Sequence, residues 1–409
     1  MKILVVNSGS SSIKFRVFEG ESEADLKEIA GGIVERIGEE ISHIKYRSAR
    51  GSISYDQVVA DHEEGFRHIV KVLFDENKGV ISDVDEIAGV GHRVVHGGDK
   101  IWTPTVVDEE VEKIIEEFSR MAPLHNPANL MGIRAAKKLF PKALHVAVFD
   151  TAFHQTLPEE AYLYAIPYEY FRKYRVRRYG FHGTSHMYVA RRAAGILGRP
   201  LEELKIITCH LGNGASITAV KHGRSVETSM GLTPLEGLVM GTRSGDIDPS
   251  IIYFLMEWEG LSIDEVYDIL NRRSGLLGLS EISNDMRIII DRAAKGDPGA
   301  LRALKVYVHR LKKYIGAYIA VMNGVDAIVF TAGVGEGSPV VRKMVLDNME
   351  FLGVKIDEER NNSPWKYRGL ISADDSRVKV LVVKTNEELV IAAETLRKII
   401  EHRSRQVSA

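Results

Sequence analysis

Hydrophobic and polar positions at the start of the chain have the pattern of a β-hairpin. Residues 2–19, KILVVNSGSSSIKFRVFE, form an apolar stretch, a turn of Gly and Ser, and a second stretch in which apolar and polar residues alternate. The small turn residues permit the close approach of another group. Residues 205–220, KIITCHLGNGASITAV, repeat this order, with Asn7 opposite His210 and Gly9 opposite Gly212. The pattern predicts equivalent hairpins in two similar halves.

Helical patterns and further apolar strands follow each hairpin. One such strand ends at Asp150, and another precedes Thr385 and Glu388, which have the spacing of a capping box opening a final helix. Strands alternating with helices predict two α/β domains facing each other across a cleft, with ligands at the carboxyl ends of strands. Residues 301–322 predict an amphipathic packing helix, with apolar residues at Leu304, Val308, Leu311, Ile315 and Ile319.

The charge balance argues against a partner bound by bulk electrostatics. The 54 Lys and Arg residues against 56 Asp and Glu residues give a formal net charge of −2, which provides no excess of positive charge for nucleic acid or an anionic membrane. Cys209 is the single cysteine, so an internal disulfide and a Cys-rich zinc module are excluded. We expect this thiol to be buried and inert. We also expect no secretion signal and a cytoplasmic location.

The two Gly-rich hairpins are candidate phosphate-binding turns, because backbone N–H groups bind anion oxygens where no side chain blocks them. No Gly-Lys pair occurs, so a Walker loop is excluded. GVGEG at 333–337 is expected to form a glycine-bearing loop after a strand, and it is not a dinucleotide fingerprint. Each hairpin alone is equally compatible with a plain β-turn. Two hairpins together with GVGEG favour a nucleotide site, in which Lys14 offers a charge to a phosphate.

Basic residues in small-residue segments form a second candidate site. Arg93 lies in GHRVVHGG, His182 in GFHGTSH and Arg243 in GTRSGDIDPS. Arginine binds carboxylate or phosphate through a planar fork, and the glycines leave room for a small anion. Each arginine alone is also compatible with a surface ion pair, and His182 with a structural histidine. Both arginines in such loops favour an anion site.

Two segments resemble other sites but favour simpler interpretations. HEEGFRH at 62–68 places its histidines six residues apart, not the four of a zinc protease helix, and indicates a solvated helix. YEYFRKYRVRRYG, from Tyr168, mixes basic and aromatic residues as single-strand nucleic-acid binders do. Without a basic excess elsewhere, the edge of an anion-binding cleft or a solvated strand is favoured. No G-x-S-x-G elbow of an α/β-hydrolase occurs.

The chain resembles the acetate kinase family, of the acetate and sugar kinase, heat-shock chaperone and actin superfamily. The resemblance runs from Asn7 to Glu387 and is carried by the ordered motifs NSGSSSIKF, GHRVVHGG, FDTAFH, YGFHGTSH, HLGNGAS, GLTPLEGL with MGTRSGDIDP, and TNEEL. It implies a homodimer of duplicated RNase-H-like, actin-like ATPase domains flanking a central nucleotide cleft. The implied domains are 1–150 plus 385–409, with the C-terminal helix packed back, and 151–384, which binds the nucleotide.

The resemblance implies reversible transfer of the ATP γ-phosphoryl group to acetate, giving acetyl phosphate and ADP. Mg²⁺ would be the metal, with Mn²⁺ as an alternative, held by Asn7 and Glu387. No nucleic acid or membrane partner is expected. A propionate or butyrate kinase on the same scaffold, or a non-kinase actin-like nucleotide-binding module, remains open at this point.

The resemblance also assigns the remaining site residues. The nucleotide would be bound by Ser10, Ser12 and Lys14; by His210, Leu211, Gly212, Asn213 and Gly214; by Asp285, Met286 and Arg287; and by Gly333, Val334, Gly335, Glu336 and Gly337. The substrate would be bound by Arg93, Val95, Leu124, Phe181 and Pro234. The catalytic residues would be Arg93, Asp150, His182 and Arg243.

Elementary chemistry supports the roles assigned to the arginines but not an acid–base role for Asp150. Phosphoryl transfer needs alignment and positive charge around the moving group, which arginine forks, a histidine and Mg²⁺ supply. Asp150 is carried over as an acid or base, but a carboxylate nucleophile is already ionised at pH 7. We therefore expect Asp150 to orient Arg93, Arg243 or magnesium-bound water in a direct in-line displacement.

Overall fold

The computed structural model describes residues 1–123 and 125–407, without the side chain of Val407. Leu124 therefore lies outside the described residues. The chain divides into two compact units: Met1–Ala152 with the segment from Asn386 onward, and Phe153–Thr385.

The first unit is built on an eight-stranded sheet in the order β5-β4-β3-β2-β1-β6-β8-β7. Neighbours from β1 to β5 are antiparallel, whereas β1, β6 and β8 are parallel. The strands are β1 (Lys2–Ser8), β2 (Ser12–Glu19), β3 (Lys27–Glu35), β4 (Ser42–Ser48), β5 (Gly51–Gln57), β6 (Ile87–Val94), β7 (Thr105–Val106) and β8 (Leu144–Phe149).

Helices α1 (His62–Leu73), α2 (Glu109–Glu117) and α3 (Asn126–Leu139) belong to this unit. Alternation along β1 sends Leu4 and Val6 into a core that includes Phe66 of α1. His62 and His68 are buried on α1, so the expectation of a solvated helix there is wrong. The reason is that the helix face carrying Phe66 packs on the sheet.

The second unit has a five-stranded sheet in the order β11-β10-β9-β12-β13. The strands are β9 (Lys205–Leu211), β10 (Ala215–Lys221), β11 (Arg224–Thr228), β12 (Ala327–Thr331) and β13 (Lys379–Val382). The first three are antiparallel neighbours, and β9, β12 and β13 are parallel. This order matches β3-β2-β1-β6-β8 of the first unit, so the predicted duplicated α/β fold and both hairpins are confirmed.

The helices of the second unit are α4 (Glu159–Tyr162), α5 (Glu169–Tyr174), α6 (Gly183–Leu197), α7 (Ser250–Trp258), α8 (Ile263–Arg272), α9 (Gly275–Ser280), α10 (Met286–Ala294), α11 (Pro298–Met322), α12 (Ala332–Gly337), α13 (Pro339–Leu346) and α14 (Glu358–Asn362). The predicted packing helix is α11, which buries Leu304, Leu311 and Ile315. The aromatic, basic segment from Tyr168 contains α5, so the solvated strand considered there is wrong.

The chain returns to the first unit as α15 (Glu387–Val407). Ile391 and Leu396 of α15 pack with Ile3 and Val5, the face of β1 opposite to α1. A side chain at Gly91 of β6 would lie 2.4 Å from Thr395 Oγ1, so this glycine lets α15 approach the sheet closely. The capping role expected of Thr385 is taken by Asn386, whose Oδ1 accepts the N–H of Leu389 at 3.0 Å.

The Cys209 side chain is buried in β9, and burial raises the pKa of its thiol. An inert structural thiol is thereby supported. Within the part of the chain that the structure describes, none of the helices has the length and apolar character needed to cross a membrane.

Candidate active site

The turn between β1 and β2 brings several predicted polar groups to one end of the first sheet. Asn7 pairs with Lys14 across the hairpin, and the Gly9 N–H donates to the Ser12 carbonyl at 2.8 Å. His62 Nε2 donates to the Gly9 carbonyl at 2.7 Å and so anchors this turn to α1. Ser10 and Lys14 are exposed, as a turn that receives a ligand requires.

Arg93 and Asp150 form an ion pair with two hydrogen bonds, at the carboxyl ends of the neighbouring parallel strands β6 and β8. Arg93 Nε donates to Asp150 Oδ1 at 3.1 Å, and Nη2 donates to Oδ2 at 2.7 Å. The Asp150 N–H donates to the Val94 carbonyl at 2.9 Å, which continues the β6–β8 register. Burial disfavours the charged guanidinium, but the charges of Asp150 and Glu387 outweigh it and raise the pKa of Arg93.

Glu387, the first residue of α15, lies beside this pair. Its Oε2 atom is 3.9 Å from Arg93 Nε, too far for a hydrogen bond. Burial raises the pKa of Glu387 to about 7, against the opposing charge of Arg93 and with the help of Asp150 and Glu388. The site therefore holds two carboxylates and one cation in a desolvated environment, which favours a further cation.

The residues fit a magnesium ion that takes few protein ligands. Among residues 1–123 and 125–407, no group of three or more His, Cys, Asp or Glu side chains is placed to hold a metal. Mg²⁺ usually takes one or two carboxylates and completes its shell with water and substrate phosphates. Glu387 matches this use, because its desolvated carboxylate lies 3.9 Å from Arg93 Nε, beyond hydrogen-bond distance, and Asn7 offers a neutral oxygen.

The predicted substrate residue Val95 is held through its backbone. Its N–H donates to Asn129 Oδ1 at 3.1 Å, and Asn129 Nδ2 donates to the Ser8 carbonyl at 2.8 Å. The buried Asn129 of α3 thus connects the ends of β1 and β6. Sequence reasoning missed Asn129, whose only signal was a polar residue on the apolar face of a helix.

In the second unit, His182 precedes α6 in a left-handed conformation, with φ of 56°, which is uncommon for a residue with a side chain. Its Nδ1 is 2.9 Å from Ser216 Oγ, and its ring stacks on His210 with centroids 4.2 Å apart. His210 Nδ1 is 2.8 Å from Ser185 Oγ. Each imidazole therefore has a hydroxyl at Nδ1.

Gly214, in the turn between β9 and β10, is where His182 and Arg243 meet. A Cβ added at Gly214 would lie 3.4 Å from Arg243 Nη1 and 3.8 Å from His182 Nε2. One added at the neighbouring Gly212 would lie 3.9 Å from His210 Nε2. The glycines leave room in the turn beside these three side chains.

Arg243 differs from Arg93 because its contacts within the described residues include no anion. Within the described part of the chain, its Nη1 meets the Pro234 carbonyl at 3.3 Å and Met240 Sδ at 3.8 Å. Burial lowers its pKa, with Tyr267 opposing. A desolvated guanidinium of this kind gains from an incoming anion. Phe181, also predicted at the site, is buried, and Pro234 is half-buried.

A cavity of about 700 Å³ in the second unit collects many of the predicted nucleotide residues. Predicted residues in its lining are Gly212, Asn213, Asp285, Met286, Arg287, Gly333, Val334 and Gly337. The fork of Arg287 is held by Asp285, with Nη2 2.6 Å from Oδ2. Leu211 is instead a buried core residue.

Residues 333–337 form the short helix α12, so the expectation of a loop there is wrong. Ala332 adopts a φ of 62° that turns the chain into the helix. The Glu336 carboxylate accepts N–H groups of Ala332 at 3.0 Å and Thr385 at 3.1 Å. Gly335 is buried against Phe330. Glu336 and Gly335 therefore hold the helix, while Gly333 and Gly337 line the cavity.

A duplicated α/β fold with a glycine-lined cavity and arginines at strand ends and in glycine-rich loops has the features of a nucleotide-dependent phosphotransferase. The profile of the acetokinase family matches residues 2–393. The chain belongs to the acetokinase family.

Named relatives agree with this assignment. An acetate kinase of Thermotoga maritima is 60% identical over 403 residues, 98% of this chain and 99% of the relative. The crystal structure of Porphyromonas gingivalis acetate kinase has a TM-score of 0.91 at 45% identity, over 98% of this chain and 99% of that one. A propionate kinase from Francisella tularensis has a TM-score of 0.89 at 40% identity, over 96% of this chain and 98% of that one. The predicted acetate kinase family is confirmed. The prediction of a kinase, rather than a non-catalytic module, is also confirmed.

Gly333 provides a test of the nucleotide cavity. A Cβ there meets no atom within 4 Å, yet Gly333 lines the cavity. We predict that Gly333→Val leaves the melting temperature within about 2 °C and weakens binding of a non-hydrolysable ATP analogue about tenfold or more, because the added methyl groups occupy ligand space.

Calorimetric titration measures this affinity. The matched control is Gly316→Val, at another open glycine, on α11 and outside the cavity lining. Equal affinities of the two variants would place the nucleotide elsewhere.

Proposed function

We propose that the protein transfers the γ-phosphoryl group of ATP reversibly to acetate, giving acetyl phosphate and ADP, by direct in-line displacement. The observation that carries this proposal is the meeting of Arg243 Nη1 and His182 Nε2 at Gly214, in the turn whose Gly212 and Asn213 line the cavity. These donors suit the equatorial oxygens of a transferring phosphoryl group. Nucleotide binding by the second unit is part of the proposal.

In the proposed reaction, an acetate oxygen attacks the γ-phosphorus as the bond to the bridging oxygen of ADP breaks. No proton moves, because the nucleophile is already a carboxylate. Arg93 binds the acetate carboxylate. The contacts with Asp150 use Nε and Nη2 of Arg93, which leaves Nη1 as a donor for substrate.

Asp150 is a positioning residue in this proposal. Its two hydrogen bonds fix the plane of the Arg93 guanidinium, and a fixed fork pays less entropy to align a bound carboxylate. Of the three alternatives expected for Asp150, the geometry supports orientation of Arg93.

Asn7 and Glu387 would hold Mg²⁺, or Mn²⁺ in its place, and the bound metal would neutralise charge on the ATP phosphates. Ser10, Ser12 and Lys14 would contact those phosphates. Val95, Leu124, Phe181 and Pro234 would enclose the acetate methyl group.

The first test is ATP turnover with Mg²⁺ and hydroxylamine, in the presence of acetate, propionate, butyrate or no acid. We expect hydroxamate formation that depends on the acid and is fastest with acetate, because hydroxylamine traps acyl phosphate. ADP release that is independent of the acid would contradict the proposal.

The role of Asp150 gives a second prediction. Asp150→Asn should lower the rate and keep every titrating limb of the pH profile, because no proton transfer is lost. The expected loss is about tenfold or more, for a misplaced arginine. Steady-state rates across the pH range measure this. Disappearance of one titrating limb would identify Asp150 as an acid or base instead.

Val95 is the proposed gate for substrate length. Val95→Ala should lower the KM for propionate relative to acetate by about tenfold, since one methylene in an apolar pocket changes discrimination by ~1–3 kcal/mol. Val94→Ala is the matched control, because Val94 is buried in a core cluster with Ile101 and Phe149. An unchanged ratio of KM values in Val95→Ala would move the gate elsewhere.

A homodimer is proposed from the character of α7. This nine-residue helix has no buried residue, and Tyr253 and Trp258 are 78% and 72% exposed. An apolar helix in this state favours burial against a second copy. Light scattering should give twice the 45.6 kDa chain mass, and Tyr253→Glu with Trp258→Glu should give the single mass. A monomeric wild type would overturn this proposal of a homodimer.

A cytoplasmic location of the protein remains a prediction.

A further inference from the structure

His154 is a buried histidine of the second unit that the proposed reaction does not use. Its side chain is fully buried, and both ring nitrogens have partners. Nε2 lies 2.9 Å from the Phe181 carbonyl oxygen, and Nδ1 lies 2.8 Å from Ser225 Oγ. The imidazole therefore connects β11, which carries Ser225, to the residue before His182.

The proton positions on the His154 ring follow from the carbonyl contact. A carbonyl oxygen can only accept, so Nε2 carries a proton and donates. Burial lowers the pKa of His154 to about 4, although the bond to the Phe181 carbonyl opposes this shift, and the ring is neutral at pH 7. A neutral ring has one N–H, so Nδ1 accepts from the Ser225 hydroxyl. Each hydrogen bond of this ring therefore has only one possible direction.

The bonded carbonyl belongs to the peptide group that joins Phe181 to His182. Because a peptide group is planar, the direction of this carbonyl fixes the plane that leads into His182 and constrains its φ. His182 has a φ of 56°, a left-handed conformation that a residue with a side chain rarely adopts. Such a conformation persists only when surrounding contacts hold it. The bond from His154 acts at the peptide group where this φ is set.

The His154 ring also lies against the residue before Phe181. Gly180 has a φ of 72°, and a Cβ added there would lie 2.7 Å from His154 Cδ2. A glycine is needed for the chain to pass this close to the ring. The N–H groups of Tyr179 and Gly180 donate to the Gly231 carbonyl at 3.0 Å and 3.3 Å. The segment that enters His182 is therefore held first by Gly231 and then by His154.

We propose that His154 is a positioning residue that sets the orientation of the peptide group between Phe181 and His182. Through this peptide group it directs the His182 ring toward Gly214 and Arg243, and it places Phe181 at the acetate methyl group. The inference rests on the proposed function for the roles of Phe181 and His182. Without the bond, the peptide group can rotate and His182 can leave its left-handed conformation, which moves its ring away from Gly214.

Substitutions of His154 test whether a donor is needed at the position of Nε2. In His154→Gln, the amide nitrogen lies the same number of bonds from Cα as Nε2 does, so it can donate to the Phe181 carbonyl. His154→Leu has a similar volume and no donor. We expect kcat of His154→Leu to fall about tenfold or more, because a small misplacement of His182 is costly in the transition state. His154→Gln should recover most of this loss.

The KM values separate positioning from general destabilisation. We expect His154→Leu to raise the KM for acetate, through Phe181, and to change the KM for ATP by less than about twofold. The residues that His154 contacts here, Gly180, Phe181 and Ser225, are not part of the lining of the nucleotide cavity. A general loosening of the second unit would instead raise the KM for ATP as well.

Thr156→Val is the matched control. Thr156 Oγ1 donates to the Ser225 carbonyl at 2.8 Å, a contact to β11 that does not involve the Phe181 peptide group. We therefore expect kcat of Thr156→Val to stay within about twofold of the wild type. A loss as large as that in His154→Leu would overturn the inference, and so would equal kcat values for His154→Leu and His154→Gln.

If His154→Leu does not fold, ¹⁵N NMR of the wild-type protein labelled at histidine decides, with His154 assigned by loss of its signals in His154→Gln. The expected spectrum has a protonated Nε2 and an unprotonated Nδ1, and the reverse would overturn the inference. Hydroxamate formation by the wild type is measured separately. Failure of this inference with acetate-dependent hydroxamate would therefore leave the proposed function intact.

Discussion

The ion pair between Arg93 and Asp150 depends on the parallel pairing of β6 with β8. Both strands end at the same edge of the first sheet, so a basic residue near the end of one and an acidic residue after the other are brought together. Burial makes each charge costly alone, and the two-bond geometry offsets that cost. The same edge receives Glu387, because α15 packs closely over Gly91. One constraint of sheet topology therefore places the proposed substrate arginine and a proposed metal ligand.

The second unit uses different means to hold its donors. Arg243 is left without an anion in its described contacts, and His182 is held by a hydroxyl instead of a carboxylate. Because these contacting groups are neutral, the positive charge of Arg243 remains available to a phosphoryl group. A carboxylate in the same place would compete for that charge. Arg93, which binds a substrate with one negative charge in this account, can share its fork with Asp150.

Sequence patterns predicted the parts of this arrangement that depend on periodicity. The two hairpins, α11 and the position of Asp150 after a strand were all expected from spacing. The helix at 333–337 was not, because three glycines in five residues favour a loop, and the Glu336 carboxylate that stabilises the turn acts through tertiary contacts. His62 was expected in solvent, but helix packing buries it against Gly9.

Polar contacts between distant segments were beyond the reach of sequence patterns. Asn129 joins two strand ends. Hydrogen bonds also connect Thr208 to His186, His186 to Ser216 and Ser216 to His182, across two strands and a helix. Nothing in the local sequence distinguishes these side chains from ordinary core hydroxyls and amides. The small-residue loops indicated Arg93, His182 and Arg243 as an anion site, whereas the roles of the other site residues came from resemblance to the family, and the structure adds how those residues are held.

The most direct test of this account is a double-mutant cycle between Arg93 and Asp150. Rates of acetyl phosphate formation would be measured for Arg93→Ala, Asp150→Asn and the double variant. If Asp150 acts by positioning Arg93, the double variant should be about as active as Arg93→Ala alone, because the residue being positioned is already gone. Fully additive losses in the free energy of activation would contradict the account and give Asp150 a role of its own.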